Sequence, residues 1–217
     1  DRLMDYQIEE AACDQAKMLG LIDDYKVGNG GYVWNQNKEY LIDRFEVGSV
    51  PLISSASISN YSFTFPHNSN HSSRTRSFSK LTHVLEKDLK CGNLLLVQRT
   101  TPRKIGRRLV GCVIDNGFTK NYKSFFLENH VNYIATENQS EFNLFGLLGW
   151  INSDLVNFIF QMRNGSTQVS VFELSIMPVQ IKLLRNLTVL AKLASSSSAL
   201  NRKKVVQEIN SFIYDNV

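Results

Sequence analysis

Proline is scarce in this chain and nowhere doubled: Pro51, Pro66, Pro102 and Pro178 each stand alone. Cysteine is scarcer still. Cys13, Cys91 and Cys112 lie far apart, with no Cys-x-x-Cys or Cys/His spacing to build a zinc site, and read as reduced, buried thiols. No apolar run approaches the roughly 20 residues a bilayer demands, and no charged-then-apolar leader opens the sequence. The expectation is a cytoplasmic chain with no membrane partner, in which Asn-x-Ser/Thr triplets such as those at Asn60 and Asn164 carry no glycosylation meaning. The Gly28-Asn29-Gly30-Gly31 cluster is followed by no Gly-Lys-Ser/Thr and no spaced glycine triplet, so it reads as a turn into Tyr32-Val33-Trp34 rather than a phosphate cradle. No Ser/His/Asp arrangement or carboxylate cluster stands out, which leaves a free-standing hydrolase poorly supported.

Acidic residues are missing from long stretches. None occurs between Glu46 and Glu86, between Lys90 and Val113, or between Glu173 and Glu208. The formal charge of +4 therefore conceals an asymmetry: residues 1–50 carry ten acids against five bases, and residues 51–217 carry nineteen bases against ten acids. Acid-free basic stretches suit a polyanion, because each Lys or Arg that neutralises a phosphate releases counterions. A solvated basic face explains the charge equally well.

What is present is enough apolar material, 43% of 217 residues with 11% aromatic, for one large domain or a domain plus an accessory element. A weak helical pattern over residues 2–19 ends at Gly20. Val50-Pro51-Leu52-Ile53 reads as a short strand, and residues 54–79 as an irregular, β-rich segment with alternating Tyr61, Phe63 and Phe65 and a long Ser/Asn/His loop. Asn93–Val97 and Leu109–Ile114 read as buried strands flanking a basic loop, Arg99–Arg108. One long helix is predicted over 142–162, where Leu144, Leu148, Ile151, Leu155, Phe158, Ile159 and Met162 recur at three- and four-residue spacing, ended by Asn164-Gly165. A strand over 168–172, a helix around 181–194, a Ser195–Ser198 hinge and a last helix with Val206, Ile209, Phe212 and Ile213 on one face complete the chain. The fold class expected is α+β, a small mixed β-sheet domain with a long packing helix and C-terminal helices.

Several strings, in order, resemble one family. Gly31-Tyr32-Val33-Trp34-Asn35-Gln36-Asn37-Lys38-Glu39-Tyr40-Leu41, Val50-Pro51-Leu52-Ile53, Leu95-Leu96-Val97-Gln98-Arg99-Thr100-Thr101 with Arg107-Arg108-Leu109-Val110-Gly111-Cys112, Glu128-Asn129-His130-Val131-Asn132-Tyr133, and Leu147-Leu148-Gly149-Trp150-Ile151-Asn152-Ser153 through Gly165-Ser166-Thr167-Gln168-Val169 follow one another along the chain. Together they are similar to the C-terminal, target-recognition half of TaqI-like N6-adenine DNA methyltransferases of type II restriction-modification systems, and to the related type I specificity subunits. The chain departs from that family after Thr101, where acids are common and Arg103-Lys104-Ile105-Gly106 stand here. It also lacks the family's Asn/Asp-Pro-Pro-Tyr/Phe motif, which holds the adenine amine, and any plausible S-adenosylmethionine loop. The resemblance implies that both belong to a catalytic domain preceding Asp1, so no cofactor is expected in these residues and S-adenosylmethionine is expected in the full-length enzyme. It further implies an acidic junction over 1–49, a DNA target-recognition domain over 50–180 and a helical extension over 181–217, with double-stranded DNA and a catalytic domain in cis as partners. The alternative is a non-catalytic subunit that docks separate methylation subunits through its acidic N-terminal segment and apolar C-terminal helix.

For DNA contact the first candidates are Arg99, Arg103, Lys104, Arg107 and Arg108, on one strand-loop-strand element without an acid. Arg107 and Arg108 could instead pair with Glu128 or another acid at the core edge. Asn68, Asn70, Arg74 and Arg76, in a loop that also carries His67 and His71, offer amides and guanidinium groups suited to base edges, asparagine being the two-point partner of adenine; a solvated loop is the competing reading. Ser166, Thr167 and Gln168 follow a helix end, where they cap the helix or donate to phosphate. Asn129 and Asn132 read as buried amides that tie backbone together, and Trp34 and Trp150 as core residues.

Overall fold

The computed structural model describes residues 2–66, 76–101, 106–138, 140–164 and 168–217, with side chains from residue 6 onward. Their order is α1 (Arg2–Cys13), β1 (Lys17–Met18), β2 (Tyr25–Asn29), β3 (Leu41–Ile42), β4 (Ser49–Ile53), β5 (Ile58–Ser59), β6 (Ser62–Phe63), β7 (Phe78–Lys80), β8 (Leu89–Lys90), β9 (Leu94–Gln98), β10 (Gly111–Ile114), α2 (Asn116–Asn121), β11 (Phe125–Leu127), β12 (Val131–Thr136), α3 (Glu141–Ile151), α4 (Asp154–Arg163), α5 (Val171–Ser175), β13 (Pro178–Val179), α6 (Ile181–Ser196) and α7 (Ala199–Tyr214). The class is α+β, as the sequence predicts.

Two sheets lie face to face. The first runs β10-β9-β12-β2, antiparallel throughout. The second runs β3-β7-β4-β11-β8, with β4 and β11 parallel. Alternation along β9 decides the layering, because successive side chains point to opposite faces. Leu94 and Leu96, with Cys112, Ile114 and Val131, face Ile53, Phe125 and Leu127 of the second sheet. Leu95 and Val97, with Val113 and Ile134, face the helices. Leu52 and Phe126 turn the other way, into a smaller cluster with Tyr32, Leu41 and Leu85.

The helical layer is built on α3, whose residues from Leu144 to Ile151 are all buried because the helix is sandwiched between the first sheet and α6. Gly146 allows that approach: a Cβ there would sit 2.5 Å from the Leu184 carbonyl oxygen of α6. Trp150 is fully buried and its Nε1 donates to Pro178 O at 2.7 Å. The α6–α7 connection is a tight turn, closed by Arg202, which donates to Ala194 O at 2.9 Å and Ser197 O at 3.0 Å. No described helix is long and apolar enough to cross a membrane.

Several local expectations change. The single helix over 142–162 is two, α3 and α4, because Ser153 caps the second by accepting Val156 N at 3.2 Å and Asn152 turns its amide into the first sheet. Met162, placed on the apolar face by periodicity, is 42% exposed at the outer end. The strand over 168–172 reduces to one bridge at Gln168, since the Ser170/Glu173 capping box starts α5 instead. The first helix stops at Cys13, short of Gly20. Gly28 and Asn29, read as part of a turn, end the strand Tyr25–Asn29. Cys91 is exposed and Cys13 partly exposed, so only Cys112 is the buried thiol expected, and burial pushes its pKa up. Trp34 is only half-buried.

Candidate nucleic-acid interface

Backbone pairing draws distant segments onto one rim. Leu52 N donates to Ser77 O at 2.8 Å, Glu128 N to Ile53 O at 2.9 Å, Arg99 N to His130 O at 2.9 Å, and Val169 N to Arg99 O at 2.7 Å. Thr100 then bridges to Gln168. This ladder runs from the end of β4 and the start of β7, through the β11–β12 turn and the end of β9, to the stretch leading into α5. Segments that sequence proposes for DNA contact, separated by as much as 92 positions between Arg76 and Gln168, therefore emerge at the same end of the paired sheets.

The described candidates occupy this rim in different ways. Arg99 is half-buried; its Nη1 donates to Asn129 O at 3.2 Å, and no carboxylate pairs with it among the described residues. The carbonyl fixes the guanidinium and leaves its charge uncompensated. Arg108 is held through its backbone, N to Asn157 Oδ1 at 2.8 Å, while its side chain meets no acid among the described residues and its Nη1 is buried without a partner. Arg107 faces inward: its guanidinium binds the Asp154 carboxylate, Asn152 O and Ser153 O, closing the α3–α4 break, and its side chain is 19% exposed. The acid it meets is Asp154, not Glu128. Arg76 lies at the exposed edge of the second sheet, donating to Leu41 O at 2.8 Å and paired with Asp43 at 3.3 Å. Gln168 is exposed beside Thr100. Asn68, Asn70, Arg74, Arg103, Lys104, Ser166 and Thr167 lie outside the described residues.

Three buried amides support this rim; sequence reasoning read Asn132 as one that ties backbone together and assigned no such part to Asn152 and Asn157. Asn152, fully buried, makes a two-point contact with the backbone of Gly111, donating to its O at 2.8 Å and accepting its N–H at 2.9 Å. Asn157 Oδ1 accepts the N–H groups of both Arg108 and Leu109. These amides strap the strand after the basic loop onto the helical layer. Asn132, also fully buried, donates to Val169 O at 2.7 Å and holds the Gln168–Val169 stretch on the first sheet. The available signal was an Asn/Ser break inside an apolar helical pattern, where a polar residue in a buried stripe must find backbone partners.

The Gly28–Gly31 cluster is filled by protein. A Cβ on Gly30 would lie 2.2 Å from Glu128 O, and one on Gly28 2.6 Å from the Tyr133 ring. These glycines serve sheet packing. A cavity of about 410 Å³ lies between Phe63, Phe65, Phe118 and Tyr122.

No family model matches the sequence, and no curated protein matches it. Among solved structures, the chain is similar to the type IIG restriction endonuclease BpuSI, with a TM-score of 0.48 and 11% identity over 97% of this chain and 32% of that one. It is also similar to a chain of a type I R-M system complex, with a TM-score of 0.43 and 8% identity over 96% of this chain and 48% of that one. The chain therefore spans about a third and about half of the length of these two matches.

Proposed function

We propose that this chain is the target-recognition module of an adenine-specific (N6) DNA methyltransferase of a restriction-modification system, acting on double-stranded DNA beside a catalytic domain outside these residues. The observation that carries the reading is the rim, where one hydrogen-bonded ladder gathers the candidate contact segments and holds Arg99, with Arg108 on the same loop, neither meeting an acid among the described residues. The ordered family strings and the missing Asn/Asp-Pro-Pro-Tyr/Phe motif support it.

Charge and geometry divide the work. Positively charged groups on a rim set the register on the duplex through phosphates, and side chains that reach base edges select the sequence. Arg99, preorganised by the Asn129 carbonyl, suits either task. Arg103 and Lys104 belong to the same basic stretch of sequence. Arg107 is spent on the helix junction and serves the site through the shape of the loop it anchors. An adenine amine inside a duplex is out of reach, so the nucleotide must leave the stack at a cost of roughly a few kcal/mol, which a firm grip on the flanking duplex offsets. The methyl donor, S-adenosylmethionine, belongs on this reading to the catalytic domain.

The test is binding of the chain to random and defined duplexes across a salt series. Sequence-selective binding is expected, and Arg99→Ala and Arg108→Ala should each lower the log-log salt slope by about one unit. Absence of duplex binding, or unchanged slopes in both variants, would refute the proposal.

A further inference from the structure

The β11–β12 turn that crosses the rim carries a side chain outside the basic candidates, and its surroundings give it a defined chemistry. His130 stands next to Arg99, whose N–H donates to the His130 carbonyl at 2.9 Å. Its imidazole side chain is 48% exposed and its Nδ1 lies 3.1 Å from Oε1 of Glu128, whose own side chain is only 12% exposed. The turn itself is locked: Glu128 N is bonded to Ile53 O, Asn129 N to Tyr32 O at 3.0 Å, and Val131 N to Glu128 O at 2.9 Å. A rigid turn thus presents an imidazole oriented by a nearly buried carboxylate.

That orientation selects a tautomer. A carboxylate only accepts, so the proton of the neutral imidazole sits on Nδ1 and Nε2 is left with a lone pair. An acceptor in a DNA groove matches an exocyclic amine. In the major groove only adenine N6 and cytosine N4 supply one, whereas guanine O6 and thymine O4 place an acceptor near the same place.

Building on the recognition reading above, we infer that His130 is a base-reading residue that selects an amino base, adenine or cytosine, over a keto base at one position of the target, with Glu128 as its positioning residue. The neighbouring Arg99 is the complementary donor for an adjacent guanine or phosphate.

The experiment is selection of duplexes from a random library by the chain at pH 8, wild type against His130→Ala, followed by affinities for a selected duplex and one in which the amine alone is removed, purine for adenine or pyrimidin-2-one for cytosine. The wild type should prefer A or C at one position and bind the amine-free duplex about five-fold more weakly, the ratio that one net hydrogen bond of about 1 kcal/mol gives. His130→Ala should lose that preference and bind both duplexes alike, with an unaltered salt slope and melting temperature. A selective wild type whose preferences survive intact in His130→Ala overturns the role of His130 alone. A wild type with no sequence preference overturns the recognition reading and this inference with it.

Discussion

Replacing Asn152 with alanine should cost this protein more than its size suggests. The side chain is fully buried at the α3–α4 break and makes both of its amide bonds to one residue, Gly111 of β10. Truncation removes two hydrogen bonds, each worth about 1 kcal/mol net. Gly111 O keeps a donor in Tyr61 N at 2.9 Å, whereas Gly111 N–H loses its only described partner and stays buried. An unpaired buried donor costs about 1–3 kcal/mol. A total of about 3–5 kcal/mol follows, and at 2–4 °C per kcal/mol for a chain of this size the melting temperature should fall by about 10 °C. Asn152→Asp is the informative companion. Its carboxylate still accepts from Gly111 N but faces Gly111 O acceptor to acceptor, so it should be no better than alanine despite matching asparagine in shape. Thermal unfolding followed by circular dichroism provides the measurement. A loss below about 1 kcal/mol in both variants would refute the claim that this amide fastens the helical layer to the first sheet.

Arg107→Ala should lower stability by about 2–3 kcal/mol, mainly through the lost donors to Asn152 O and Ser153 O, since its Asp154 partner is 54% exposed and solvent-screened; denaturant unfolding measures this, and the salt slope of DNA binding should not change. Alkaline titration should reveal Tyr25, whose phenol is pushed up to about 12, chiefly by burial and then by Asp24. The unfolded chain ionises tyrosine near pH 10, so the unfolded state releases its proton first and the stability contributed by this group falls as pH rises from about 10 to 12, by up to about 2–3 kcal/mol. Tyr25→Phe should flatten that decline in melting temperatures read between pH 9 and 11, and an undiminished decline would place the buried ionisation elsewhere.

Much of the fold was legible because it rests on periodicity. The unbroken apolar run Leu94–Val97 announces a strand buried on both faces, and the three- and four-residue spacing of Leu144, Leu148, Ile151, Leu155 and Ile159 announces helix. What periodicity does not encode is where a helix must stop for a reason outside itself. Asn152-Ser153 sits in an apolar helical pattern, and only the presence of β10 alongside shows that the amide is needed elsewhere. The same holds for Gln168–Phe172, whose apolar alternation is overruled by the Ser170/Glu173 capping box.

The candidate site divides along the same line. Sequence alone determined the class of fold, the net basic character of residues 51–217 with its acid-free stretches, and the absence of a catalytic Asn/Asp-Pro-Pro motif, because these are properties of composition and local order. Tertiary structure alone decided which charges are available. Arg107 and Arg108 are neighbours of identical type, yet a helix break neutralises the first while the second meets no acid among the described residues. Arg76 is tied to Asp43, and the His130 imidazole stands 3.1 Å from the Glu128 carboxylate. These differences arise from contacts between residues far apart in the chain, or from the way a turn folds back on itself, and a guanidinium or imidazole has no fixed role until its partners are in place.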